Sequence, residues 1–216
     1  LLVDKFDFNK AVISRKGEGL SAGDAMLAYA KCHEQYTLEE VKNLAQSLST
    51  TVNYHLESLL KYSIRINETD FVAKHKVKFD VDAIDRIIRD YIDISTCCCP
   101  IKNITCYSAF PECNYPWTQR LFESYLLTES KTFKLYFNGS LGQSKVCGIV
   151  SLKKGLDISF MEMIAVILSR NDVWTNKTEA LDVLVSEGCI ANRKYAEIET
   201  AISEALKLRQ QNNKKI

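Results

Sequence analysis

The sequence predicts a mainly α-helical chain with small β-hairpins, an α+β fold. Three observations carry that expectation. Apolar residues recur at helical spacing over most of the 216 residues. Ser, Thr or Asp stands directly before several of these stretches, in some cases with an acidic residue three positions on, which is the pattern of a helix N-terminus. Two regions switch instead to short alternating runs around polar turn residues, the pattern of a hairpin.

The first helix is expected over Ser21–Glu34, with Ser21 as cap, Asp24 in the capping-box position, and Ala25, Leu27 and Ala28 on its apolar side. Thr37 caps the second, LEEVKNLAQSL, with Glu40 three residues on; Leu38, Val41, Leu44, Ala45 and Leu48 share one face. The third is TVNYHLESLLKY, with Val52, Leu56, Leu59 and Leu60 apolar. The period then changes. Ile64 and Ile66 on one side of Asn67-Glu68-Thr69-Asp70, and Phe71 and Ala73 on the other, predict a hairpin with a polar tip. Asp80 caps VDAIDRIIRDYI, whose apolar stripe is flanked by the i,i+4 pairs Asp82–Arg86 and Asp85–Arg89.

The middle segment repeats this layout: a short helix over Ile101–Ala109, a longer one over Trp117–Thr128, a strand over Lys131–Phe137, a turn over Asn138–Gly142 and a return over Val146–Leu152. The last third reads as helices Phe160–Ser169, Lys177–Ser186 and Tyr195–Arg209, with Ser159 and Thr175 as caps and Gly188 at a helix C-terminus. These elements divide into three units: 1–95, 96–155 and 156–216.

Composition narrows the function. The chain is 46% apolar and 25% charged, ordinary for a packed domain. A net charge of +1 argues against DNA binding by the whole surface. Only residues 96–155 are basic, with seven Lys/Arg against three Asp/Glu. No run approaches the roughly 18 apolar residues of a membrane helix. The opening LLVDKFDFNK places Asp4 and Lys5 where a signal peptide needs an apolar run. A start at Leu1 rather than Met fits a piece of a longer protein. A cytoplasmic location with no membrane association is expected, and the oligomeric state stays open.

The eight cysteines are expected as free thiols, because a chain this rich in core residues needs no disulfide staple. Cys97-Cys98-Cys99, Cys106 and Cys113 lack the paired Cys-x-x-Cys spacing that brings two thiolates to one zinc ion, and no histidine lies near them. His33, His55 and His75 all fall in the first unit, with no sign of a cysteine–histidine pair for catalysis. Gly17, Gly19 and Gly23 lack the Gly-Lys-Ser/Thr ending of a phosphate-binding loop. No catalytic residue, metal or cofactor is expected, and the chain reads as a non-enzyme.

Binding residues are more visible. On the third helix, Asn53, Tyr54, His55 and Lys61 lie off the apolar face; Asn pairs with adenine, and Lys with guanine or phosphate. Glu57 on the same helix opposes this. Lys74 and Lys76, just past the hairpin, are placed to meet phosphates. The competing reading of all six is a solvated surface. Most aromatics of the basic middle segment sit at core spacing.

Three short helices followed by a hairpin is the order of a winged helix. Residues 21–74 resemble that unit of the helix-turn-helix superfamily, and loosely its HARE-HTH type, found in bacterial transcription and restriction proteins. The resemblance rests on Ala25 and Leu27, on Leu38-Glu39-Glu40-Val41, on Leu56 with Leu59-Leu60, and on IRINETDFVAK as the wing. It covers about a quarter of the chain; the rest is similar only in layout, as tandem winged-helix-like units. It implies binding rather than catalysis: a DNA-associated regulatory or accessory fragment, or a protein-interaction module of a larger protein.

Overall fold

The computed structural model describes residues 2–9, 12–92, 98–137, 145–153 and 158–213. The fold is mixed α+β, with most ordered residues helical and the strands in small antiparallel sheets. It gathers into two compact units: one from the chain up to Phe79 plus Glu112–Glu129, the other mainly from Asp80–Pro111 and the stretch after Ser130. These boundaries do not follow divisions at 95/96 and 155/156.

The first unit opens with a one-turn helix, α1 (Leu2–Lys5), and the hairpin β1 (Phe6–Asn9) and β2 (Val12–Arg15). Next come α2 (Ala22–Cys32), β3 (Gln35–Thr37), α3 (Leu38–Ser47), a 3-10 turn over Val52–Tyr54, α4 (Leu56–Leu60), β4 (Ser63–Arg65) and β5 (Asp70–Ala73). Both predicted capping boxes form, Ser21 with Asp24 and Thr37 with Glu40. Each cap satisfies donors that a helix start leaves without partners.

The expected third helix is broken. Thr50, Thr51, Val52 and Asn53 are weak helix formers. The His55 ring bonds back to the Thr50 hydroxyl at 2.9 Å, and His55 itself sits at φ −124°, ψ 5°, off helical values. Only Leu56–Leu60 remains α-helical.

The sheet order is β3-β5-β4, so the last strand is central. Beneath it Met26, Val41, Leu56, Leu59 and Phe71 form a core, with the Tyr36 ring stacked on Phe71 at 5.1 Å. The tip of the β4–β5 hairpin is built by Asn67, whose side-chain oxygen accepts from the backbone N–H of Thr69 and Asp70.

The unit is completed by α6 (Gln119–Thr128), which starts at the Thr118 cap. Leu121 packs on Ile64 and Val72, and the Ser124 hydroxyl both accepts from the Arg65 N–H and donates to the Arg65 carbonyl. At its start, buried Arg120 is held by Glu123 at 3.0 Å and Glu68 at 3.1 Å.

The second unit contains α5 (Val81–Tyr91), β6 (Cys98–Pro100), 3-10 turns at Ile101–Asn103 and Tyr107–Ala109, β7 (Phe133–Tyr136), β8 (Ile149–Leu152), α7 (Phe160–Ser169), α8 (Lys177–Ser186) and α9 (Ile198–Asn213). The helix expected over 101–109 is interrupted at the β-branched pair Ile104-Thr105, leaving two 3-10 turns. The turn expected over 138–142 lies outside the described residues.

The sheet order β6-β8-β7 repeats the pattern of the first unit, with the last strand central. Ile164, Leu168, Trp174, Ala201 and Ala205 form its core. Of the expected helix-surface pairs, Asp82 reaches Lys131 at 3.2 Å. Asp85 is buried instead, accepting from the Ser130 hydroxyl and from the backbone N–H of Lys131 and Thr132. Gly188 ends α8 at φ +72°, as expected, and Asn176 takes the cap assigned to Thr175. Gly148 sits at φ +139°, where an added Cβ would lie 2.5 Å from the Tyr136 carbonyl oxygen.

Candidate nucleic-acid interface

The apolar residues of the third helical segment fix which of its side chains face outward. Val52, Leu56, Leu59 and Leu60 are buried, so Asn53, Tyr54, Glu57 and Lys61 point away from the core. Tyr54 is 82% exposed. A large aromatic at that exposure loses the burial energy an aromatic ordinarily gains. Among the described residues no side-chain hydrogen bond or ion pair engages Asn53, Tyr54 or Lys61, although the Lys61 charge lies near enough to Asp24 to help hold its carboxyl down. His55 is different: its half-buried ring is tied to Thr50 and lies beside Gly23, so it shapes the segment rather than its surface.

The two lysines that follow β5 do not stand free. Lys74 Nζ lies 3.2 Å from Glu129, and Lys76 Nζ lies 3.2 Å from Glu34, which also meets His75 at 3.1 Å. The Lys76 hydrogen bond, reinforced by the nearby His75 charge, holds the Glu34 carboxyl below the usual carboxylate range. Both lysines are therefore compensated locally. Neither acid was legible as a partner in the sequence, because Glu34 and Glu129 are brought there by the turn after α2 and the end of α6. The β4–β5 turn itself carries Glu68 and Asp70, an acidic rather than basic edge.

The structure thus brings Asn53, Tyr54 and Lys61 onto one exposed segment and places Lys74 and Lys76 in ion pairs. Desolvation raises half-buried Cys99 to about 12 and buried Cys113 in the same direction. Such thiols carry little thiolate at neutral pH. No disulfide joins the described cysteines, and no group of His, Cys, Asp and Glu among the described residues is arranged to hold a metal ion. Cys97 lies outside the described residues. No helix among the described residues is long and apolar enough to cross a membrane.

No protein-family model matches the chain, and comparison with characterised proteins and with solved structures finds no match.

Proposed function

We propose that the chain is a non-enzymatic, DNA-associated regulatory or accessory module, with winged-helix-like units, whose first unit presents its third helical segment to duplex DNA. The observation that carries this reading is the exposed set Asn53, Tyr54 and Lys61, whose side chains make no hydrogen bond or ion pair among the described residues. It stands on a helix–strand–helix–helix–strand–strand frame with the last strand central, the order that supports a winged-helix reading. The same strand order in the second unit supports the tandem reading. Asn53 and Lys61 supply base-edge and phosphate donors, and Tyr54 supplies apolar contact. Because Lys74 and Lys76 already face acids, few phosphates are neutralised, and binding is weak with a shallow salt dependence.

The test is a fluorescence-anisotropy titration of duplex DNA at low and moderate salt. Lys61→Gln lowers affinity for all sequences alike, and Asn53→Ala reduces discrimination by about 1–3 kcal/mol at the base it reads. Absence of duplex binding even at low salt refutes the reading.

One observation favours the alternative, a protein-interaction module. On the β1–β2 hairpin, Phe8 and Ile13 are directly opposite each other and are 54% and 63% exposed. An apolar cross-strand pair left in water is a feature of surfaces that meet a protein partner.

A further inference from the structure

The second unit holds a cleft of about 700 Å³, within the range of small-ligand sites. Its walls are of two kinds. Phe137, Phe160 and Tyr195 give aromatic surface, and Lys177, Arg193 and Lys194 give positive charge, against Glu197 as the one acid of the lining. We propose that this cleft binds a nucleotide, its base held on the aromatic wall and its phosphate by the cations.

The aromatic wall is built for a planar guest. Phe160, the first residue of α7, meets Tyr195 edge to face at 5.9 Å and 85°. Each ring is only partly buried, so ring surface remains open to the cleft. Every base has a π-face, and stacking on such rings is tolerant of base identity. Burial pushes the Tyr195 phenol up to about 12, so it stays neutral and does not repel phosphate.

The cationic wall is available at low cost. Lys194 is exposed and has no acidic partner among the described residues. Lys177 is paired with Glu199 at 2.7 Å and Arg193 with Asp182 at 2.5 Å. All four of those side chains are between 44% and 78% exposed. Exposed ion pairs of this kind are weak, so exchanging a surface carboxylate for a phosphate costs little, and Arg holds either one bidentately. Arg193, with its planar fork, suits exchange from Asp182 to a phosphate.

The source of the nucleotide is either a free nucleoside triphosphate or a unit of single-stranded DNA, and one experiment separates them. The full chain is titrated with an anthraniloyl-labelled ATP and, in parallel, with fluorescein-labelled oligothymidine, with inorganic phosphate as competitor. Saturable binding of either probe is expected. Lys194→Ala and Tyr195→Ala each weaken it about tenfold, and Tyr195→Phe leaves it unchanged, since the ring and not the hydroxyl does the stacking. Tighter binding of the mononucleotide supports a free-nucleotide site, and tighter binding of the oligomer supports a strand-binding one. The proposal is overturned if neither probe saturates below about 1 mM. It is equally overturned if inorganic phosphate binds as tightly as ATP, or if both alanine variants bind like the parent. Asn53→Ala has no effect in this assay, so the outcome is independent of duplex binding by the first unit.

Discussion

Replacing Arg120 by Met is expected to cost the first unit about 3–5 kcal/mol, the usual penalty for breaking a buried pair from one side. The magnitude follows from where the partners lie. The Arg120 side chain is 1% exposed, Glu123 is 8% exposed, and Glu68 is 64% exposed. The contact to Glu68 is solvent-screened and contributes at most about 1 kcal/mol. Most of the cost comes from Glu123, left buried without its hydrogen-bonded cation and with only the Arg65 charge nearby, and the shape of Met keeps the packing loss small.

Burial already raises the Glu123 pKa above its ordinary 4.5, against the lowering effect of Arg120 and Arg65. A carboxyl raised in the folded state favours folding below its unfolded value, and that contribution is lost as pH rises through the folded value. Arg120→Met removes a lowering charge and raises the pKa further, so its penalty shrinks toward acid pH. Urea denaturation followed by circular dichroism at two pH values measures this. For a chain of this size the loss corresponds to roughly 6–20 °C of melting temperature. Adding Glu123→Leu to Arg120→Met recovers most of the loss, since apolar replacements of buried pairs are often neutral. A single-variant cost below about 1 kcal/mol, or a double variant no better than the single, refutes the reasoning.

Gly148→Ala brings a Cβ to 2.5 Å from a backbone oxygen at φ +139°, and a loss of about 1–3 kcal/mol is expected in thermal unfolding. Gly17→Ala, at φ +85° in open space, is the milder control, and equal losses would contradict the account. Native thiol labelling at neutral pH modifies exposed Cys32 first and buried Cys113 and Cys189 last; peptide mapping that finds the reverse order refutes the burial argument. Glu34→Gln releases Lys76 and His75, so duplex affinity rises and its salt dependence steepens; an unchanged slope shows that the segment after β5 does not face phosphate.

Helix starts were the most legible part of the fold. Ser21, Thr37, Asp80 and Ser159 all cap as their sequence context indicates, because a cap is a local bond over three residues. Short strands were not legible. Gln35–Thr37 and Cys98–Pro100 are three residues each, and only pairing with a distant strand makes them strands. The helix expected over 51–62 failed at its start, where weak helix formers and the Thr50–His55 bond prevailed over the apolar spacing of Leu56–Leu60. Within the candidate interface, exposure of Asn53, Tyr54 and Lys61 followed from periodicity. The acids facing Lys74 and Lys76 did not, since Glu129 lies 55 residues from Lys74 and only tertiary packing joins them. The cleft in the second unit was hidden for the same reason: residues 137, 160, 177 and 195 share no local motif.

The central claim is that the third helical segment of the first unit contacts duplex DNA, and backbone amide shifts in a nitrogen-labelled sample titrated with a short duplex test it most directly. Shifts concentrated at residues 52–61, with none over the Phe8–Ile13 hairpin, are the predicted result. Shifts absent throughout, or gathered on residues outside 52–61 and 74–76, would contradict it.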